Sequence, residues 1–347
     1  MIWLTWRQFR GSALMMAAFL VVLAVVLALT GPDLAARYSA GIAECVQDKS
    51  CGRFYDRFFD EYQMPFEALT LVVMLLPVLI GLFWGAPLIT RELEAGTHLL
   101  VWNQSITRRR WLAVKLGLVG LAAVAAAGLG GLAVTWWSDP LDKSAMPELA
   151  LMAPLVFGAR GIAPMGYAAF AFVLGVTVGM FVRRVLPAMA LTLAAFAVVQ
   201  LAMPMLVRPH LMTPATGAFE LGEVNVDGIG VSRDENQTVH VQLSPAVPGH
   251  AGAWVLSSRL VDPSGRTIPD DDPGSGVTIS TTSGPCAPSG GMDGCLAEIN
   301  RLGYRQQATY QPLDRFWPFQ WIETGIYALL TAGLTGLCFW WIRRRLS

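Results

Sequence analysis

Charge is what this sequence lacks most. Asp, Glu, Lys and Arg make up 14% of its 347 residues, against about 25% in a soluble domain. The deficit excludes an ordinary water-soluble globule, and it is concentrated. Six windows, at about residues 12–30, 68–88, 116–137, 161–181, 186–206 and 324–342, contain no Asp, Glu, Lys, Arg or His at all. Catalytic signatures are missing too. No H-E-x-x-H, G-x-S-x-G or C-x-x-C pattern occurs, which removes the common zinc, serine and redox chemistries. The histidines, His98, His210, His240 and His250, are scattered, so no metal site is expected. Without a G-x-x-x-x-G-K-[ST] loop the chain has no such cradle for a nucleoside triphosphate, and no catalytic residue or cofactor is expected in it. Nothing points to nucleic acid.

What is present is apolar: 54% of residues are hydrophobic. About 20 apolar residues cross ~30 Å of hydrocarbon as a helix, because each rises ~1.5 Å and a helix satisfies its own backbone in lipid. Each of the six windows is long enough. The first is too long for the core of a signal peptide, and Gly31, Pro32 and Asp33 lack a small-x-small cleavage pattern. The reading is an all-α polytopic membrane protein with six transmembrane helices.

Basic residues set the orientation. With the amino terminus inside, the inner segments hold Arg7, Arg10, Arg91, Arg108, Arg109, Arg110, Lys115, Arg183, Arg184, Arg343, Arg344 and Arg345, and only two acids, Glu92 and Glu94. A net charge of zero therefore hides a polarised molecule. Both termini are expected in the cytoplasm of a cell bearing this multi-pass protein in its plasma membrane. Cysteine agrees, since disulfides persist in oxidising compartments. Cys45 and Cys51 fall in the first outer loop, and Cys286 and Cys295 in the last. They read as two loop staples or as four free thiols, because spacing alone does not fix connectivity.

The chain divides at composition changes. Residues 1–206 form a membrane domain of five helices with an inner loop at 89–113. Its first ten residues alternate Trp3, Trp6 and Phe9 with Arg7, Gln8 and Arg10. They suit a short helix in the headgroup region or a plain polar lead-in with an aromatic anchor. Phe54, Tyr55, Phe58, Phe59 and Tyr62 recur near helical spacing in the first outer loop, as an amphipathic helix against the membrane or the bundle would. Residues 182–185 make so short a turn that the fourth and fifth spans must be antiparallel neighbours. Residues 207–319 differ in kind. Stretches at Thr238–Leu243 and Trp254–Val261 alternate like strands, with turn chemistry at 262–265 and a Pro- and Gly-rich run at 269–276. They read as a β-rich extracytoplasmic domain between the fifth and sixth helices, or else as a disordered loop. Residues 320–347 hold the last helix and a basic tail. Asn236, Gln237 and Thr238 match a glycosylation acceptor, a match short enough to be chance.

The polar atoms inside the spans are few: Thr70, Thr135, Tyr167, Thr177, Thr192, Gln200, Tyr327, Thr331 and Thr335. Thr177 and Gln200 stand out as pathway candidates, with interhelical hydrogen bonding the competing use of Gln200. Ionisable groups at membrane depth, the usual mark of a membrane enzyme or proton-coupled carrier, are not expected. Gly81 with Gly85 and Gly175 with Gly179 fit G-x-x-x-G, which serves packing within one bundle or a seam between copies.

With so little polar chemistry in the spans, work would have to be delivered mechanically from inside, and 89–113 is the one inner segment large enough to grip. A short helix over Arg91, Glu92, Leu93, Glu94 and Ala95 would stop at Gly96. An apolar turn, Leu99 to Trp102, would follow, and Thr107 would cap the next span. This stretch, from Gly85, Pro87, Thr90, Arg91, Glu92, Glu94, Gly96 and Thr97 into Trp102, Asn103, Gln104, Ser105, Thr107, the three arginines and Lys115, resembles the second span and inner loop of permeases of the ABC transporter type-2 family. The start (Trp3, Trp6, Arg7, Gln8, Phe9) and the finish (Trp340, Trp341, Arg343, Arg344, Arg345) resemble its actinobacterial members.

The resemblance implies the permease subunit of an exporter. A second permease copy (a homodimer) or a paralogue completes the pathway in membrane lipid, and separate ABC ATPase subunits bind the ATP and magnesium. By that analogy Arg91, Glu92, Glu94, Gly96 and Thr97 lie in or beside an ATPase-coupling helix, the two acids facing a basic ATPase surface. The bland alternative is that Arg91 and Glu94 pair with each other on one exposed face. The large segment between the fifth and sixth spans departs from typical members, where compact re-entrant helices stand. A rival class is a membrane sensor or assembly factor whose outer domain binds a ligand.

Overall fold

The structure is a computed structural model describing residues 2–48, 51–96, 107–144, 149–231, 238–269, 276–287 and 291–344. The chain forms two compact units. One comprises Met1–Ser144, Pro154–Leu211 and Trp317–Ser347, the other Ala145–Ala153 and Met212–Phe316.

Among the described residues, six helices are long and apolar enough to cross a membrane. Helix α1, Ile2–Asp48, is unbroken, so the amino-terminal residues are its first turns and not a separate interfacial helix. At ~1.5 Å per residue its 47 residues run ~70 Å, more than twice the hydrocarbon thickness. Helix α2, Cys51–Ile80, follows at once, and the Cys45–Cys51 disulfide closes the hairpin. The predicted amphipathic helix around Phe54 is the start of α2. Its rings stack on one another and on Tyr38 of α1, with Phe54 and Phe58 5.5 Å apart and Tyr38 5.5 Å from Phe58. The aromatic periodicity thus serves helix-on-helix packing.

Helix α2 continues through a π-turn at Gly81–Gly85 into α3, Ala86–Glu94. The wide turn lies just before Pro87, whose missing N–H and bulky ring disturb an ordinary α-turn at this point. Helix α3 ends where expected: Gly96 adopts φ +68°, a conformation that costs glycine little. It is nonetheless the tail of the second span and not a free-standing element. Residues 97–106, with Thr97 and the apolar turn, lie outside the described residues, as do Asn236, Gln237 and Arg345. Helix α4, Arg108–Asp142, opens as predicted with Thr107 as its cap, the hydroxyl accepting from the Arg110 amide. A short α5, Pro154–Gly158, precedes α6, Ala163–Val182, and α7, Val185–Ala202. Between α6 and α7 lie only Arg183 and Arg184, Arg183 in the left-handed region. The last helix is α9, Phe316–Arg344.

Helix α6 is the hub. Its apolar window is 72% buried within the chain, that of α1 only 11%. The reason is small residues. A Cβ on Gly175 would stand 2.5 Å from the Gly81 carbonyl and 2.7 Å from the Ala86 amide, and one on Gly85 would stand 2.4 Å from the Phe172 carbonyl. The two G-x-x-x-G motifs therefore face each other and pack helices within one bundle. Trp111, Leu112, Val119 and Ala123 of α4 close the same core with Phe172 and Val176 of α6. Helix α9 lies along α6 in the same direction, with Tyr327 against Tyr167 and Trp341 against Phe181.

The second unit carries strands β1 (Ala215–Phe219), β2 (Val226–Val231), β3 (Thr238–Leu243), β4 (Trp254–Val261), β5 (Thr267–Ile268), β6 (Val277–Thr278) and β7 (Arg305–Gln311). They form two antiparallel sheets, ordered β1-β7-β4-β5 and β2-β3-β6. Helix α8, Gly291–Arg301, packs Leu296 and Ile299 onto Val239, Val241 and Leu260, and Cys295 bonds to Cys286. The two strands read from alternation are β3 and β4.

At the β4–β5 turn the Asp262 carboxylate accepts from the Ser264 hydroxyl at 2.6 Å and from the amides of Ser264 and Arg266. These donors, the Ser264 hydroxyl foremost, hold its pKa down to about 2, below the ~3.9 of an unfolded Asp. Because the folded value is the lower, the stabilisation is full above the unfolded pKa and is lost as pH falls through the folded one. The stability gap between the wild type and Asp262→Asn should therefore narrow as acid unfolding is followed from pH 4 to pH 2, and an unchanged gap contradicts this assignment.

Candidate functional site

At the end of the bundle where α1 and α4 begin and α9 finishes, Glu92 and Glu94, the two acids of the segments expected to face inside, are engaged within the chain. Glu92 pairs with Lys115 of α4, whose ammonium also donates to the Leu88 carbonyl at 3.4 Å. Gln8 of α1 donates to the same Glu92 carboxylate at 3.2 Å. Lys115 is almost fully buried and lies 4.9 Å from the Trp111 ring centroid. Glu94 accepts from the Val185 amide at 3.2 Å. That amide is one of the donors a helix start leaves without an internal partner, and a carboxylate there also suits the positive end of the α7 dipole. Arg91 makes no side-chain hydrogen bond or ion pair among the described residues, so the expected alternative of an Arg91–Glu94 pair is not what forms. Glu92 and Glu94 instead tie the end of α3 to α1, α4 and α7.

The opposite end of the bundle holds buried ion pairs whose members lie just outside the charge-free windows. Arg208, just past α7, meets Glu323 of α9 in a two-pronged pair, Nε to Oε2 at 2.8 Å and Nη2 to Oε1 at 3.0 Å. Both side chains are at most 2% exposed. The Tyr167 hydroxyl of α6 donates to the same carboxylate, and the Arg208 guanidinium lies 4.2 Å from the Phe157 ring centroid. A second buried pair, Arg160 with Asp142, sits at the same end, with Ser138 donating to Asp142 and Arg160 over the Phe66 ring. Gln320 of α9 bonds the amides of Ile162 and Ala163 and the Phe157 carbonyl, so α9 caps the start of α6.

These groups escaped the sequence reading because Glu323 immediately precedes one apolar window and Arg208 follows another by two residues. A signal was available. The fifth span ends where the sixth begins, so a base just after the one and an acid just before the other come to the same end of the bundle.

Of the two pathway candidates, Gln200 accepts from the Tyr327 hydroxyl at 3.0 Å, and Thr177 donates to the Val173 carbonyl at 2.7 Å beside Cys338. Both polar groups serve contacts inside the chain.

The molecule is thus a multi-pass helical membrane protein whose buried ion pairs sit at the two ends of its bundle. Residues 17–208 match the family model described as ABC-2 membrane transporter related, a match over more than half of the chain. The chain belongs to that family of membrane transporter components. The matched region takes in the first five spans and stops at Arg208, where the β-bearing unit follows. No curated protein and no solved structure matches the chain.

Proposed function

We propose that this chain is the permease subunit of an ATP-driven exporter, that a separate ABC ATPase engages its inner end, and that a second permease completes the pathway. The observation that carries this reading, together with family membership, is the anchoring of α3. The second span runs through the π-turn into α3, and Glu92 and Glu94 join its tip to α1, α4 and α7. A push on the segment that follows, with Gly96 and Thr97, is thereby delivered to four helices at once. Glu92 and Glu94 act as struts that aim the coupling segment, which leaves the ATPase to grip residues beyond them. The strand-bearing unit lies outside the cell, as its disulfide suits, and both termini lie in the cytoplasm.

The test is ATP hydrolysis by the partner ATPase with and without this chain in lipid nanodiscs. The chain should change the rate, and a Glu92→Ala/Glu94→Ala double variant that still folds should return it to that of the ATPase alone. Unaltered coupling in that variant would sink the assignment.

A further inference from the structure

Between the first turns of α1 and the junction of α2 with α3 lies a cleft of about 260 Å³, lined by Thr5, Gln8, Phe9 and Ser12 on one side and by Phe83, Trp84, Pro87, Leu88, Arg91 and Glu92 on the other. The cleft is sorted by polarity. Phe83, Trp84, Pro87 and Leu88 line the part within the second apolar window, and Phe83 is 59% exposed there. Gln8, Thr5, Arg91 and Glu92 line the part beyond it.

Its charge is not balanced internally. Glu92 is matched by Lys115, and Glu94, the other acid at this end, is occupied at the start of α7. Arg91 is exposed and makes no side-chain hydrogen bond or ion pair among the described residues. Arg7 and Arg10 follow on the neighbouring turns of α1, and Trp3 and Trp6 beside them are exposed, as rings at the headgroup level are.

We infer that this cleft holds the headgroup of an anionic phospholipid from the inner leaflet. The Arg91 guanidinium meets the phosphodiester, Gln8 and Thr5 offer hydrogen bonds to the glycerol side, and an acyl chain runs down past Leu88 and Phe83. A guanidinium is suited to phosphate because its fixed fork of N–H donors matches two phosphate oxygens. The apolar floor gives a lipid an advantage over a free phosphate. This occupant is a resident lipid, distinct from whatever the permease exports, and its binding needs no ATPase, so it stands or falls separately from the transport reading.

The experiment is native mass spectrometry of the full chain released from detergent, equilibrated with equal amounts of phosphatidylglycerol and phosphatidylcholine of the same acyl chains. The wild type should retain phosphatidylglycerol about fivefold over phosphatidylcholine, the scale of one basic residue at an anionic surface. Arg91→Ala should bring the ratio near one, Arg91→Lys should keep part of it, and Ser12→Phe, which fills the cleft, should lower retention of both. Arg184→Ala, a basic site outside the cleft, should leave the ratio as it is. Three results overturn the inference: an unchanged ratio in Arg91→Ala, an equal loss in Arg184→Ala, or displacement of the bound lipid by millimolar glycerol phosphate, which would make this a soluble-phosphate site.

Discussion

Glu323→Gln is expected to destabilise the membrane unit by about 3–5 kcal/mol, the usual penalty for leaving one partner of a buried ion pair alone. The substitution keeps the shape of the side chain and removes only its charge. Arg208 then keeps a full positive charge in a site where both prongs of its pair are buried, and Tyr167 loses an ionised acceptor. The double variant Arg208→Leu/Glu323→Leu removes both charges together, and it should recover most of the loss, since apolar replacement of a whole buried pair is often neutral. Thermal unfolding in detergent, followed by tryptophan fluorescence, reads both. A single variant that melts with the wild type would mean that water reaches Arg208 and that the cluster is no closed joint of α6, α7 and α9.

The second large effect concerns one methyl group. Gly175→Ala should destabilise the bundle by about 1–3 kcal/mol, the range for overpacking. The added carbon would lie 2.5 and 2.7 Å from backbone atoms of Gly81 and Ala86, and a backbone cannot swing aside as a side chain can. Gly117→Ala makes the identical change in α4, where nothing lies within 4 Å. There the gain in helix preference, about 0.5–1 kcal/mol, should prevail. Opposite signs for the same substitution, measured by thermal unfolding, are the expected pattern. Equal shifts at both positions would show that the α3–α6 contact is looser than its geometry says.

The parts of this fold that were legible in the sequence are the local ones. Six apolar windows gave six helices, because the absence of charge over ~20 residues admits few other structures in lipid. Thr107, Gly96 and the strands β3 and β4 each follow from chemistry within a few residues. The facing G-x-x-x-G pairs were visible as motifs, though their meeting was not. What stayed hidden depends on distance along the chain. Arg208 and Glu323 are 115 positions apart, and Glu94 and Val185 are 91 apart. Each looks like an ordinary flanking residue until the topology brings it to its partner. The extension of α1 and α2 past the bilayer was hidden for a different reason: Pro32 and Pro65 lie inside these helices, and a proline read in isolation argues for a break. The aromatic contacts between the two helices outweigh that local preference.

The widened turn at Gly81–Gly85 sets the rotational phase of everything that follows it in the second helix. An α-helix advances about 100° per residue, so a turn that takes up one residue more than usual reorients the remaining stretch by about a quarter of a circle. Without that extra residue, a helix of otherwise identical sequence would swing Glu92 and Arg91 around the axis together, carrying the acid off Lys115 and the guanidinium out of its furrow. A single miscounted position in the second span would thus be felt as a misaligned surface about two turns further along the helix.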